Sequence, residues 1–218
     1  MWVELDLAAT PELLKLEVNG RLSFKDDAAL PTVHLKSYGI WVRAGELLIG
    51  TAAKPFSQNA IVEMLGHTES DTLTLGGTIK AGNKVLVSSN KVEMFGKPRK
   101  MMTRMIDSVN GGADTIKVDP KDLDWVVGDY IFLATSTLNH THSEYRTIKA
   151  ITGGTITLDK ALKYYHFGTA ESTSTTYNGI DIRNEVLLLT RNVKVRGADT
   201  DNWPGHVLVT DIFEVDAT

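Results

Sequence analysis

Short runs of alternating apolar and polar residues recur along the chain, each broken by a turn signal. Leu16-Glu17-Val18 leads through Asn19-Gly20 into Arg21-Leu22-Ser23-Phe24. Ile40-Trp41-Val42 leads through Arg43-Ala44-Gly45 into Glu46-Leu47-Leu48-Ile49. Val85-Leu86-Val87 leads through Ser88-Ser89-Asn90 into Lys91-Val92-Glu93-Met94. Period-two alternation on both sides of a tight corner predicts pairs of half-buried strands. Helix signals are sparse. Thr10-Pro11-Glu12 has the Pro of a first helical turn, but Leu13-Leu14-Lys15-Leu16 runs on into a strand, so one turn at most is expected.

The units recur at roughly 22–24 residues, the repeat of one turn of a parallel β-solenoid. Ile61 to Gly66 and Thr72 to Gly77 are expected to fill the turn between Val42 and Val87. Each turn would stack its inward aliphatics on the next, with Gly and Asn at corners that take positive φ. A β-sandwich also gives short strands with regular turns, and Asn19-Gly20 would equally suit a hairpin.

The second half reads differently. Lys97-Pro98-Arg99-Lys100 looks like a linker. After it come strand-like runs at Asp114 to Val118, Tyr130 to Thr135, Tyr145 to Ile151 and Thr155 to Leu158, the last two joined by Gly153-Gly154 as a hairpin. This block is expected to be antiparallel. Strands of the first kind then return at Gly179 to Ile182, Glu185 to Leu189 and Asn192 to Val195. The expected division is residues 1–97 as solenoid, 98–168 as antiparallel β insert, and 169–218 as the start of a further β-helix.

Composition adds limits. The formal charge is -4 and there is no cysteine. An acidic chain is a poor partner for nucleic acid, which calls for a basic surface. No disulfide can form, and no thiolate can serve as nucleophile or metal ligand. No apolar run approaches the length of a helical membrane span. The opening Met1-Trp2-Val3-Glu4-Leu5-Asp6 lacks the basic and long apolar regions of a signal peptide and reads as already inside a strand. The expectation is a piece of a longer protein whose partners include its other domains.

Candidate chemistry is thin. Asp181, Arg183 and Glu185 are two apart and would share a strand face, with Arg191 beyond them. Such a carboxylate–guanidinium row could hold an acidic sugar or serve its cleavage, or be an ordinary solvated face of ion pairs. Trp203-Pro204-Gly205-His206 offers an aromatic platform beside a His, with Asp211 close in sequence. A corner residue capping the next turn would look the same. Arg183, His206 and Asp211 are the catalytic candidates; Asp181, Glu185, Arg191 and Trp203 are the ligand-binding ones. His140-Thr141-His142 could give two metal ligands on one strand face, but shows no third. Asp119 to Asp124 is dense in carboxylates without the Gly and distal Glu of an EF-hand, and reads as a polar turn. No metal or cofactor is expected. Asn139-His140-Thr141 is the one N-glycosylation sequon.

A family resemblance spans nearly the whole chain. The stretch from Thr10 to Phe24 is similar to the early strands of G8 domains. Gly45 to Thr51, then Lys54-Pro55-Phe56, then Ala60 to Gly66 resemble the core of that domain. Val127-Gly128-Asp129, Thr155 to Asp159 and Leu162 to Gly168 look like the block that follows it. Glu185 to Val193 resembles the signature that introduces the main β-helix of the fibrocystin and cell-surface hyaluronidase group. The resemblance implies a right-handed parallel β-helix in an extracellular or cell-surface protein, with glycan or extracellular protein as partner. Three functions follow as expectations: a scaffold or interaction module, the N-terminal part of a hyaluronan-degrading enzyme, or a subunit of an extracellular filament.

Overall fold

The computed structural model describes residues 1–76, 79–170, 176–177 by backbone, and 180–211. The described residues are all-β, with a single 3-10 turn at His140–His142 and no α-helix. They form two compact units, Met1–Lys97 with Arg191–Thr218, and Pro98–Thr190.

The first unit holds three parallel sheets. One contains, in order, Trp2–Leu5, Arg21–Phe24, Glu46–Ile49 and Lys91–Met94. A second contains Leu16–Val18, Gly39–Val42, Val85–Ser88 and His206–Val209. The third contains Thr32–Ser37, Asn59–Met64 and Val193–Gly197. The chain visits the second, first and third sheets in turn, and does so twice between Leu16 and Met64. A third round begins at Val85–Ser88 and Lys91–Met94. Val193–Gly197 completes it after the whole of residues 98–190 has intervened.

Register explains why these strands pair. Leu22 lies beside Leu47, and Leu47 beside Val92. Val33 lies beside Ala60, and Ala60 beside Val193. In a parallel ladder like positions stack, so one alternating pattern repeated at the right interval lays aliphatic on aliphatic. Leu22, Val33, Leu35, Ile40, Val42, Leu47, Ile49 and Val62 are all buried in one cluster. The Val18–Val42 spacing is a true pair, but Val42 pairs with Ser88 and not Val87. Ser88 is buried because its hydroxyl turns into the corner and donates to the Asn90 carbonyl.

Four local expectations are corrected in whole or in part. Asn19-Gly20 is not a hairpin turn, for Leu16–Val18 and Arg21–Phe24 lie in different sheets. Of the corner glycines, Gly50 and Gly66 take positive φ, 68° and 112°, whereas Gly20 and Gly45 answer to crowding: a Cβ on Gly45 would run into the Gly20 carbonyl oxygen. The Glu46 N–H donates to that same oxygen at 2.8 Å. Thr10-Pro11-Glu12 makes no helical turn; Ala9 and Leu13 bridge His34 and Ser37 as extended chain. Leu73–Thr74 joins no parallel sheet and pairs antiparallel with Lys80–Gly82.

The second unit is a six-stranded antiparallel sheet. Its order is Met102–Arg104, Glu185–Leu188, Tyr130–Leu133, Glu144–Thr152, Thr155–Leu158 and Thr115–Lys117. The hairpin at Gly153-Gly154 is present, with Thr152 paired to Thr155. Glu185–Leu188, grouped from sequence with the solenoid strands, instead lies between two antiparallel partners. Its inward Val186 and Leu188 enter the core of Met105, Ile116, Trp125, Ile131 and Leu133. Nor is Lys97 to Lys100 a loose linker. The Arg99 guanidinium donates to both Asp129 oxygens at 3.2 and 2.8 Å and to the Asp124 carbonyl at 2.7 Å.

Candidate functional site

One face of the antiparallel sheet packs the core just described; the other is unusual. Alternation puts Met102, Leu187, Phe132 and Tyr145 on it, and register places them in one row across four strands. Tyr130 and Leu189 lie beside the row, with the Leu189 N–H donating to the Tyr130 carbonyl. Outward faces of antiparallel sheets are ordinarily polar. Here Met102, Tyr130, Tyr145 and Leu189 are all substantially exposed. The Tyr130 and Tyr145 rings stack at 5.8 Å between centroids, and Phe132 leans on Tyr145 at 5.0 Å. These contacts fix the rings before any ligand arrives.

A charged cluster borders the row. Arg104 pairs in register with Glu185, two strand positions from the Met102–Leu187 pair and so on the same face. Its guanidinium meets Glu185 at 2.8 Å and stands 3.8 Å from Asp181. It also donates to the Arg183 carbonyl at 2.8 Å. Arg183 in turn grips Asp181, 2.8 Å at the closest. That guanidinium, with the Arg183 N–H and the Arg104 charge behind it, outweighs desolvation and holds the Asp181 carboxyl below its usual range.

Asp181, Arg183 and Glu185 are therefore brought together, but not as a row along one strand. Arg183 lies past the end of Ile180–Asp181, and Arg104 is the bridge. Arg104 was missed because its signal is a pairing partner from the far end of the unit. Arg191 is half-buried in the stretch leading to Val193–Gly197.

Trp203, His206 and Asp211 belong to the first unit. Trp203 is 43% exposed and its indole N–H donates to Asn83 Oδ1 at 2.8 Å. Its loop is clipped by Lys84, a fully buried lysine that no sequence signal singled out. Lys84 Nζ donates to the Ala198 and Trp203 carbonyls at 2.7 and 2.8 Å and to Thr200 Oγ1 at 3.2 Å. His206 Nε2 is spent on the Ala81 carbonyl at 2.9 Å. Asp211 is exposed beyond the strand end, and neither hydrogen bond nor ion pair joins it to His206 among the described residues. His140 and His142 lie in the 3-10 turn and not on a strand, with His142 stacked on Tyr164 at 4.1 Å. No group of three metal-ligating residues occurs among the described residues. No helix among them is long and apolar enough to cross a membrane.

A second polar cluster is wholly interior. Glu144, Arg146, His166 and Asn184 are all buried. Glu144 accepts from the N–H groups of Lys163 and Tyr164 at 2.9 and 3.0 Å, from Arg146, and lies 3.3 Å from His166 Nε2. His166 and Asn184 fall inside or beside the family-like segments; Glu144, the carboxylate beside His166 Nε2, does not.

Comparison with known proteins bears on the first unit most directly. The family model of the G8 domain matches residues 1–106. Residues 1–106 are a G8 domain. Relatives extend the similarity past the G8 match. Fibrocystin-L of Mus musculus is 32% identical over 89% of this chain and 4% of its own length. Fibrocystin-L of Homo sapiens is 30% identical over 91% of this chain and 5% of its own. A G8 domain-containing protein of Dictyostelium discoideum is 26% identical over 96% of this chain and 13% of its own. The chain thus spans a small part of the relatives it matches. Among solved structures, the gp54 tailspike of Acinetobacter baumannii bacteriophage AP22, in complex with capsular saccharide, aligns with 84% of this chain and 22% of its own. Its TM-score is 0.33 and its identity 9%, too slight to bear on the reading of the G8 chain.

Proposed function

We propose that this G8 chain is a scaffold and interaction module of a larger, extracellular fibrocystin-like protein, and that the outer face of its antiparallel sheet binds a glycan. The observation that carries the reading is the outward row Met102, Leu187, Phe132 and Tyr145, exposed at Met102 and Tyr145 and half-buried between, ending on stacked tyrosines and edged by Arg104, Glu185, Asp181 and Arg183. Apolar ring faces suit the C–H faces of a sugar, and paired carboxylates and guanidinium groups offer its hydroxyls both acceptors and donors. The two guanidinium groups are neutralised by their own carboxylates. The ligand best matched is an uncharged sugar, not an acidic one.

The parallel sheets are read as turns of a right-handed β-helix, with 98–190 inserted into the third turn. Val195 and Val207 support this. They pair beside core residues Val62 and Leu86, yet are 37% and 56% exposed. Further turns stacked there would cover them. No described observation favours the cleaving-enzyme or filament readings: Arg183 is engaged by Asp181, and His206 by a backbone carbonyl.

The test is titration of the pure chain with neutral and acidic oligosaccharides. Neutral saccharides should bind, and Tyr145→Ala should weaken them about fivefold, the loss of one stacking contact of ~1 kcal/mol. Absence of saccharide binding, or equal binding by Tyr145→Ala, sinks the glycan reading.

A further inference from the structure

The loop joining Tyr130–Leu133 to Glu144–Thr152 connects the two strands that carry Tyr130, Phe132 and Tyr145. It contains Asn139-His140-Thr141. We infer that Asn139 is an N-glycosylation site whose glycan is held at one edge of the aromatic face.

The geometry argues beyond the tripeptide. Asn139 and Thr141 are exposed, and Leu138 beside them is fully exposed, so the loop stands open to an enzyme. Asn139 Oδ1 accepts from the Thr141 hydroxyl at 2.8 Å and from the Thr141 N–H at 3.0 Å. Both bonds draw electron density toward the amide oxygen and fix which way the amide faces. Asn139 Nδ2 lies 3.2 Å from His142 Nε2. An amide nitrogen carries two hydrogens. One can stay on His142 while the other gives way to the sugar. His142 is itself held by the Tyr164 ring and by Thr137 Oγ1 at 2.9 Å. The folded loop therefore keeps its bonds when the glycan is attached.

The chemistry requires a polyprenyl-pyrophosphate-linked oligosaccharide and its transferase. Asn139 Nδ2 forms a bond to C1 of the first sugar as the C1–oxygen bond to pyrophosphate breaks. The pyrophosphate leaves with the electron pair, and Nδ2 loses one proton to the transferase. The tether matters because of where it stands. The loop leaves the sheet at Leu133 and Glu144, the end at which Val186 follows Glu185. A glycan there flanks the Arg104–Glu185 edge and narrows access from that side.

The inference rests on the extracellular reading only for its occurrence in the native cell. The experiment therefore supplies its own export signal. The chain is secreted from a eukaryotic cell line and its mass measured before and after an amidase that removes N-linked glycans. One glycan is expected on the unaltered chain and on Thr141→Ser, and none on Asn139→Gln or Thr141→Ala. A secreted unaltered chain whose mass does not change overturns the site, as does a glycan that persists on Asn139→Gln. The unaltered chain alone decides the matter if a variant fails to fold. Failure here leaves saccharide binding by the aromatic face standing, and the reverse holds too.

Discussion

In the parallel unit the core is made by repetition; in the antiparallel unit it is made by unlike groups that complete one another. Leu22, Leu47 and Val92 stack because three strands carry the same alternation at the same interval. The outer charges of that unit pair mostly at the surface, as Arg21 does with Glu46. Residues 98–190 instead bury Glu144, Arg146, His166 and Asn184 beside an apolar cluster, and hold Asp129 against Arg99. A repeated apolar ladder degrades locally when one rung is changed. A buried polar set is disturbed more widely, because removing its carboxylate leaves the Arg146 charge desolvated and without its counter-ion.

The sharpest way to break that comparison is Glu144→Ala. It strips an acceptor from Arg146, His166 and two backbone N–H groups at once. The expected loss is about 3–5 kcal/mol, the range for orphaning a buried charge. Hydrogen exchange followed strand by strand should show Tyr130–Leu133, Glu144–Thr152 and Glu185–Leu188 losing protection while Gly39–Val42 and Glu46–Ile49 keep theirs. Equal loss in both units would mean that they unfold together and that the contrast is one of composition alone.

Acid should separate the units next. Burial pushes the Glu144 carboxyl up, but the Lys163 and Tyr164 N–H groups, His166 and Arg146 outweigh it and hold it below the reference of 4.5. Burial likewise raises Asp129, and Arg99 with the Val126 N–H brings it below 3.8. A carboxyl depressed in the folded state stabilises fully above its unfolded value and loses that stability as pH falls through the folded one. The antiparallel unit should therefore weaken below about pH 4.5 and continue to weaken below about 3.8. Depressed carboxyls of the parallel unit such as Glu17 and Asp27 lie at its surface and contribute less. Protection lost first in the parallel sheets below that pH would reverse the assignment.

The two units also differed in how far sequence could show them. Alternation located the paired strands of the parallel unit, and the interval from Val18 to Val42 gave a true partner. Repetition is legible because the same signal is written several times. The antiparallel unit has no repeat. Glu185–Leu188 shows the same alternation as a solenoid strand, and only its partners Met102–Arg104 and Tyr130–Leu133 reveal its sheet. The site suffered likewise. Asp181, Arg183 and Glu185 could be grouped from their spacing, whereas Arg104, Phe132 and Tyr145 join them only through strand order. Lys84 was invisible for another reason: a lone lysine reads as surface, and its burial depends on the carbonyls of Ala198 and Trp203 more than a hundred residues on.

The smallest expected effect belongs to the parallel unit and runs at a different pH. His34 stands on the outward side of Thr32–Ser37, half-buried, with Nε2 3.0 Å from Glu63 Oε2 but out of line for a hydrogen bond. Burial depresses its pKa first. Glu63 works against that, and Lys36 and Arg196 add to it, so the folded value lies below 6.5. The unfolded chain then takes up a proton that the folded one refuses. Stability is full above about pH 6.5 and declines as pH falls through the folded value, a range in which the carboxyls of the antiparallel unit are still fully ionised. Protection factors, with the pH dependence of intrinsic exchange divided out, should fall slightly in Thr32–Ser37 and Asn59–Met64 between about pH 7 and about pH 5, with no change in Tyr130–Leu133. His34→Gln should flatten that response. If it does not, the acid sensitivity comes from elsewhere in the ladder, and the parallel unit depends on its surface charges more than its stacked aliphatics suggest.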